Sequence, residues 1–348
     1  MEYMGSKTKL LPWIFKHVER HAELLGLGSP QDTVFLDGCS GTGAVSAEAS
    51  SRGYQVVSND LMSFASHVAR GKTCLSPDRL PEARELIREL NGLSPVQGHF
   101  FREYSQEGGR MYLQKENAAH VDAVREKIRL VPSLEMQSYL YYCLIEAISQ
   151  VQNTAGVQAA FLKKWQSKSK QPLHLKVEKT SWGKHNRVYN RDILELLSDD
   201  AFRTEPSEAI LYLDPPYVSR EYAANYHLYE AAVAPQDALV QGVTGLPNTY
   251  PRSEFCGPEE AVATFLGGVL TKTRAQLVLV SYSSDSIVPL QRMTSLMLQN
   301  GCTSVEVQIE AYKRYKADAS EDRSYSQDLL QEFLIIGHRQ GSGIFDLL

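Results

Sequence analysis

What this 348-residue chain lacks narrows its class before any motif is read. Cysteine is scarce: Cys39, Cys74, Cys143, Cys256 and Cys302 are odd in number, scattered, and never spaced C-x-x-C. That excludes a disulfide framework and a zinc site, and fits a reducing cytoplasm. No run approaches the roughly 18 apolar residues of a membrane span, and Met1–Leu11 lacks the layout of a signal peptide. Repeats and low-complexity segments are absent, and 43% apolar with 22% charged residues is ordinary for a folded protein. G-x-G-x-x-G and G-K-S/T are also missing, which removes the usual dinucleotide and phosphate-loop fingerprints. Basic charge is not in excess either, since the formal net charge is −5. The length admits one large α/β domain of about 200–250 residues with a smaller one attached.

What is present centres on Ile210–Tyr217, I-L-Y-L-D-P-P-Y. Ile210 to Leu213 read as a strand buried on both faces. Pro215 and Pro216 then stop it, because neither can donate a backbone hydrogen bond and each biases its predecessor away from helix. The result is a stiff loop at the carboxyl end of a strand, where open α/β sheets place ligands. It offers the Asp214 carboxylate, free carbonyls and the Tyr217 ring. That set accepts hydrogen bonds from an exocyclic amine while stacking on a flat heterocycle.

A second signal is Val34-Phe-Leu36, a strand, followed by Asp37-Gly-Cys-Ser-Gly-Thr-Gly43 and a helix from Ala44. Strand, glycine-rich turn and helix bring backbone N–H groups toward a ligand. Asp37 before the glycines would repel a pyrophosphate but accept from an ammonium group. Tyr54–Asp60 is the next strand, and Asp60 ends it about 20 residues after the turn, where a carboxylate can hold two ribose hydroxyls. Together these describe a ligand with a ribose and no required phosphate. Ahead of them, Gly5 and Ser6 suit a turn flanked by Lys7 and Lys9, and Leu10–His21 has helical apolar spacing. That turn reads as a frayed terminus or as a strap over a small anionic group.

With these pieces the chain resembles the S-adenosylmethionine-dependent adenine-specific DNA methyltransferases of the D12, Dam-like class. The matches are Y-M-G-S-K (Tyr3–Lys7), F-L-D-G-C-S-G-T-G (Phe35–Gly43), N-D (Asn59–Asp60), N-T-A-G-V (Asn153–Val157), Y-N-R-D (Tyr189–Asp192) and D-P-P-Y (Asp214–Tyr217). The resemblance implies a Rossmann-like α/β fold: a mostly parallel seven-stranded sheet with one antiparallel strand, plus a mainly helical inserted target-recognition region. It divides the chain into a catalytic part, 1–75 and 187–348, and an insert, 76–186. By the same resemblance Asp214, Pro215, Pro216 and Tyr217 are catalytic. Tyr3, Lys7 and the loop residues Asp37, Gly38, Cys39, Ser40, Gly41 and Gly43 would hold the methionine end of S-adenosylmethionine, Asp60 its ribose, and Asp192 would lie near its adenine. Cys39 departs from the aromatic that many relatives carry there, so a packing contact beneath the cofactor is in question. No metal is required by this chemistry.

Between Asp60 and Asp192 the sheet pauses. Leu80–Leu90 and Ala118–Val131 read as amphipathic helices, and Gln137–Gln150 as a more deeply buried one whose tyrosines are core. Phe161–Arg191 then carries nine lysines and arginines against one acid, Glu178, with Trp165, His174, Trp182, His185 and Asn186 interleaved. Such a cluster suits phosphate contacts with side chains left for base edges. Lys163, Lys164 and Lys168 are the candidate phosphate contacts, and Trp182, His185 and Asn186 the candidate base readers. After D-P-P-Y, Val218–Tyr229 is expected to be a mobile loop, with Tyr222, Asn225, Tyr226 and His227 as DNA contacts, and Pro235–Pro258 is expected to be loop. Gln276–Tyr282 reads as a strand, Ala261–Lys272 and Leu290–Leu298 as helices, and Val305–Ala311 with Glu332–Gly337 as a closing antiparallel pair. Lys313 and Arg314 follow as further backbone contacts.

Double-stranded DNA is thus the expected partner, in a cytoplasmic setting, for a monomer or weak dimer with a cognate restriction endonuclease as a companion. Two other readings use the same residues. One is amino methylation of cytosine N4, RNA or a glutamine amide; the other is a non-catalytic DNA-binding homologue. The strap-first order and N-T-A-G-V favour adenine in DNA, and a mere binder would not need the acid, the glycines and the tyrosine together.

Overall fold

A computed structural model of the protein describes residues 1, 3–203, 209–216, 219, 221–313 and 329–340. The strands are β1 (Val34–Asp37), β2 (Gln55–Asn59), β3 (Arg187–Tyr189), β4 (Ile210–Leu213), the two-residue pair β5 (Val240–Gln241) and β6 (Leu246–Pro247), β7 (Leu277–Ser283), β8 (Ser304–Lys313) and β9 (Leu329–His338). The helices are α1 (Leu11–Leu24), α2 (Ala44–Ser51), α3 (Ser63–Thr73), α4 (Leu80–Asn91), α5 (His99–Glu103), α6 (Lys115–Arg129), α7 (Leu134–Val151), α8 (Ile193–Ser198), α9 (Asp200–Arg203), α10 (Tyr222–Asn225), α11 (His227–Val233), α12 (Glu259–Lys272) and α13 (Leu290–Gln299).

The main sheet has the order β3-β2-β1-β4-β7-β9-β8. All its pairings are parallel except those of β9, which runs against both β7 and β8. This is the expected seven-stranded α/β architecture with one antiparallel strand. The two-residue period of a strand explains its layering. In β4, Ile210 and Tyr212 face a core shared with α1 and α2, through Ile14, Phe15, Val18 and Val45. Leu211 and Leu213 face the other side, packed with Leu196, Val262, Leu266 and Met293 from α8, α12 and α13. All four β4 residues are therefore buried, as both-face coverage requires.

Chain order is β1, β2, β3 outward on one side, then back across β1 to β4 on the other. The crevice between the carboxyl ends of β1 and β4 is thus a topological switch point, the favoured ligand position in open α/β sheets.

Residues 76–186 form the expected helices, but not as a lobe with a core of its own. Val121, Val124, Tyr139, Leu140 and Leu144 from α6 and α7 share one apolar cluster with Phe64 and Val68 of α3, and with Tyr226, Leu228 and Tyr229 around α11. That cluster corrects one expectation. The segment after D-P-P is not wholly loop: α10 and α11 occupy it, and Tyr222, Asn225, Tyr226 and His227 are buried. Their spacing serves packing, and Tyr222 also borders a cleft at the carboxyl edge of the sheet. Of the expected Pro235–Pro258 loop, only the β5–β6 ladder and one 3-10 turn are ordered as regular structure. No described helix is long and apolar enough to cross a membrane.

The turn before α2 depends on Gly43, which caps the helix at φ +65°. A Cβ there would stand 3.1 Å from the Ala69 Cα of α3, a backbone atom that cannot swing aside. Gly43→Ala should therefore lower the unfolding free energy by about 1–3 kcal/mol. The measurement is a urea titration, in which the midpoint falls while the slope stays that of the wild type.

Candidate active site

A cleft with about 910 Å³ of open space lies at the switch point, on the carboxyl edge of β1, β2 and β4. Its walls include Tyr3, Lys7, Asp37, Gly38, Cys39, Ser40, Gly41, Asp60, Asp192, Asp214, Pro215 and Pro216. Most of the residues singled out from the motifs thus meet in one place, although they come from five separate segments of the chain.

The glycine-rich turn is fixed by the strands on either side of it. The Gly38 N–H donates to the Tyr212 carbonyl at 2.9 Å, and the Ser40 N–H to the Asn59 carbonyl at 2.9 Å. Asn59 Nδ2 in turn donates to the Gly38 and Arg191 carbonyls. The Gly41 N–H donates to Asp60 Oδ2 at 2.7 Å. Gly41 has φ +49°, and a Cβ there would lie 3.2 Å from the Tyr3 ring, so backbone and ring close on each other only through glycine. Tyr3 itself stacks on Tyr226 at 4.5 Å between centroids. The expected strap is therefore present and clamped from below. Gly43 is not part of the wall and shapes the turn as the cap of α2.

Among the described residues, several buried polar atoms in this cleft have no hydrogen-bond partner. Asp37 accepts from Ser46 Oγ at 2.6 Å through Oδ2, and Ser58 Oγ backs Ser46 at 2.8 Å. Its other oxygen, Oδ1, is left without a partner, as are Ser40 Oγ and Asn59 Oδ1. An acceptor so placed suits an ammonium or hydroxyl donor on a ligand. Burial pushes the Asp37 carboxyl up to about 7, against the Ser46 hydrogen bond, and nearby Asp214 and Asp60 raise it further. Burial also raises Asp60 to about 6, opposed by the N–H groups of Met62 and Gly41. Both Asp60 oxygens already accept from backbone, Oδ1 from Met62 at 2.9 Å, yet a carboxylate keeps further lone pairs for hydroxyls. Asp192 caps α8 by accepting from the Leu194 and Glu195 N–H groups at 2.8 and 3.2 Å, and lines the cleft from there. Cys39 sits half-buried at the apolar edge of the wall, its thiol pushed up by burial.

Across the cleft Asp214 follows β4. The Lys7 ammonium, almost wholly buried, lies 3.1 Å from Asp214 Oδ1 and 3.4 Å from Glu332 Oε2. Burial raises Asp214 to about 6, with Lys7 pulling down and Glu332 pushing up. Lys7 was expected, with Tyr3 and the glycine turn, to hold the methionine end of the cofactor, and it does line the cleft. Its charge is shared between two protein carboxylates, so its nearest work is on Asp214. Glu332 carries no motif, and only its being an acid at the head of an apolar strand hinted at a role. Pro215 is buried and Pro216 half-buried beside Asp214, and neither has an N–H to compete for acceptors. Tyr217 lies outside the described residues.

The candidate DNA contacts lie elsewhere. Lys163 and Lys164 are exposed, Lys168 is half-buried, and His185 and Trp182 are exposed on the same extended segment. Asn186 requires correction: its Oδ1 accepts from the Val56 N–H at 3.0 Å, and its Nδ2 donates to Ser50 Oγ at 2.7 Å and the Thr73 carbonyl at 3.0 Å. That amide is committed to joining β2, α2 and α3, which leaves it no hydrogen for a base edge. Lys313 is the last residue of β8, and Arg314 lies outside the described residues.

Comparison with known proteins agrees with this geometry. The family model of D12 class N6 adenine-specific DNA methyltransferases matches residues 3–296. The chain is 31% identical to the type II methyltransferase M.CviAII of Paramecium bursaria Chlorella virus 1 over 327 residues, 91% of this chain and 93% of that protein. It is 31% identical to M.NlaIII of Neisseria lactamica over 344 residues, 97% and 98% of the two chains. With the type II methyltransferase M.FokI of Planomicrobium okeanokoites it shares 30% identity over 346 residues, 93% of this chain and 51% of that longer protein.

The raised Asp37 carboxyl has a consequence for stability. Its folded value of about 7 exceeds the usual carboxylate value of about 4, so the folded state holds the proton more tightly. The stability this contributes is fully present below about pH 4 and is lost as pH rises through about 7. Asp37→Asn should therefore raise the unfolding free energy at pH 8 by roughly 1–3 kcal/mol relative to wild type. At about pH 4 the gain should vanish. Denaturant titrations of both proteins at the two pH values check this.

Proposed function

The chain belongs to the D12 class of N6 adenine-specific DNA methyltransferases, and on that premise we propose how its residues divide the work of site-specific adenine methylation. Asp214 and the Pro215 carbonyl accept the two hydrogens of an adenine N6. The N6 lone pair is delocalised into the ring in the free base; holding both hydrogens out of the ring plane favours tetrahedral character and makes that lone pair available. Tyr217 stacks on the extruded base and keeps it in line, a positioning effect. The observation that carries this reading is the half-buried Asp214 carboxylate at the switch point, paired with Lys7 and facing the same cleft as the Asp37 oxygen that has no partner among the described residues.

The residues around that oxygen fit S-adenosylmethionine. Asp37 Oδ1 is placed to accept from its ammonium, Ser40 Oγ and the N–H groups of the Gly38–Gly41 turn line its methionine end with Tyr3, and Asp60 receives its ribose. Asp192, at the α8 cap, borders the place of its adenine. When bound, this group supplies a methyl on a sulfonium, which is already a good leaving group. The protein has then to orient the amine, exclude water and hold the charges. Residues 1–75 and 187–348 form the catalytic part in this reading, and 76–186 the target-recognition insert. The lysines of 163–184, with Trp182 and His185, run along double-stranded DNA. A monomer or weak dimer in the cytoplasm, serving beside a restriction endonuclease, completes the proposal.

Three outcomes test it. Asp214→Ala should lower labelled-methyl transfer into duplex DNA by at least about 100-fold with the fold intact by circular dichroism. Tyr217→Ala should be severe and Tyr217→Phe mild; the reverse order assigns the hydroxyl, not the ring. Replacing Lys163, Lys164 and Lys168 together by Ala should weaken all duplexes alike, and reduce the slope of log K against log salt by about 1 per lost phosphate contact. Filter binding at several salt concentrations reads this, and an unchanged slope removes the segment from the interface.

A further inference from the structure

We propose that Glu332 is a positioning residue for the reaction: it holds the Lys7 ammonium between two carboxylates, so that Asp214 keeps the acceptor capacity an exocyclic amine needs. This rests on the role given to Asp214 above.

Topology puts Glu332 there. Because β9 runs against the parallel strands, residues near its start lie on the edge where β1, β4 and β7 end. Glu332 pairs in register with Ser283, the last residue of β7. From that position its Oε2 reaches Lys7 Nζ at 3.4 Å, while Asp214 Oδ1 is at 3.1 Å on the other side. Glu332 is buried and is not part of the cleft wall, so it meets the substrate only through Lys7.

Charge explains why a second carboxylate is useful. A buried lysine with one carboxylate forms a neutral pair in a medium of low effective dielectric, and the attraction engages the acceptor lone pairs. Shared between two carboxylates, the ammonium leaves one net negative charge on the group, part of it on Asp214. The other groups facing Asp214 do not supply this balance. Asp37 lies across the switch point and raises, rather than anchors, while the phenols of Tyr3 and Tyr212 are held neutral by burial. Glu332 touches the lysine and is fixed by the sheet edge through its pairing with Ser283.

The test is single-turnover methyl transfer across pH for wild type, Glu332→Gln, Glu332→Asp and Lys7→Met, with DNA and S-adenosylmethionine affinities and melting temperatures alongside. Glu332→Gln should slow the chemical step about 10-fold while both affinities stay within about threefold and the melting temperature does not fall. Removing the anion favours the ionised form of Asp214, so the acid limb of the rate should move to lower pH by about half a unit or more. Lys7→Met should move it the opposite way, and Glu332→Asp should recover part of the rate. A Glu332→Gln enzyme with wild-type rate, an unmoved or upward-moved acid limb, or a loss confined to affinity or melting temperature overturns the proposal. If Asp214→Ala itself retains transfer, the reading of Asp214 falls and takes this inference with it. An inactive Asp214→Ala beside a normal Glu332→Gln refutes only the inference.

Discussion

A lysine ammonium and an aspartate carboxylate held out of water at a strand end constrain the rest of this structure. Lys7 and Asp214 belong to opposite parts of the sequence, and each would be costly to bury alone. Their pairing requires the N-terminal strap to fold back across the switch point, and it requires β4 to end where the strap arrives. The prolines after Asp214 prevent the strand from running on. The Tyr3 ring, stacked on Tyr226, fixes the strap from the helical side. Sheet, strap and helical region therefore converge on one carboxylate.

The cleft has two walls with different electrostatic tasks. On the β1 and β2 side, Asp37, Ser40 and Asn59 each present a buried oxygen without a partner among the described residues, which is costly unless a ligand supplies one. On the β4 side the Asp214 carboxylate is paired with a lysine that it shares with Glu332. Because burial holds Asp37 and Asp214 above the ordinary carboxylate range, filling the site with a cationic ligand favours their ionised forms.

Local signals made much of this legible in the sequence. The D-P-P stop, the glycine turn and the acid at the end of β2 are short-range features, and all three border one cleft. The apolar run in Gln276–Tyr282 and the pair formed by β8 and β9 were likewise readable from their apolar patterns. What stayed hidden depends on distant parts of the chain. Glu332 gains its meaning from an antiparallel strand that brings it beside Lys7, and no local spacing encodes that. Tyr226 and His227 read as polar contacts in a loop because an amphipathic helix of one or two turns leaves little periodic trace. Asn186 sits in a basic stretch, and an amide suits a base edge and a strand edge equally well; the fold uses it for the second.

The helical region shares its core with α3 and α11, so the surface proposed to read DNA and the residues beneath the strap are packed as one body. Binding on that surface is thereby connected to the base cleft through side chains in contact. The central claim, that Asp214 presents an acceptor to an adenine N6, is tested most directly by nucleoside mass spectrometry of duplex DNA treated with isotopically labelled S-adenosylmethionine. The account predicts label on N6 of deoxyadenosine with wild-type protein and none with Asp214→Asn. Label on cytosine N4, or equal labelling of adenine by the Asp214→Asn protein, would contradict it.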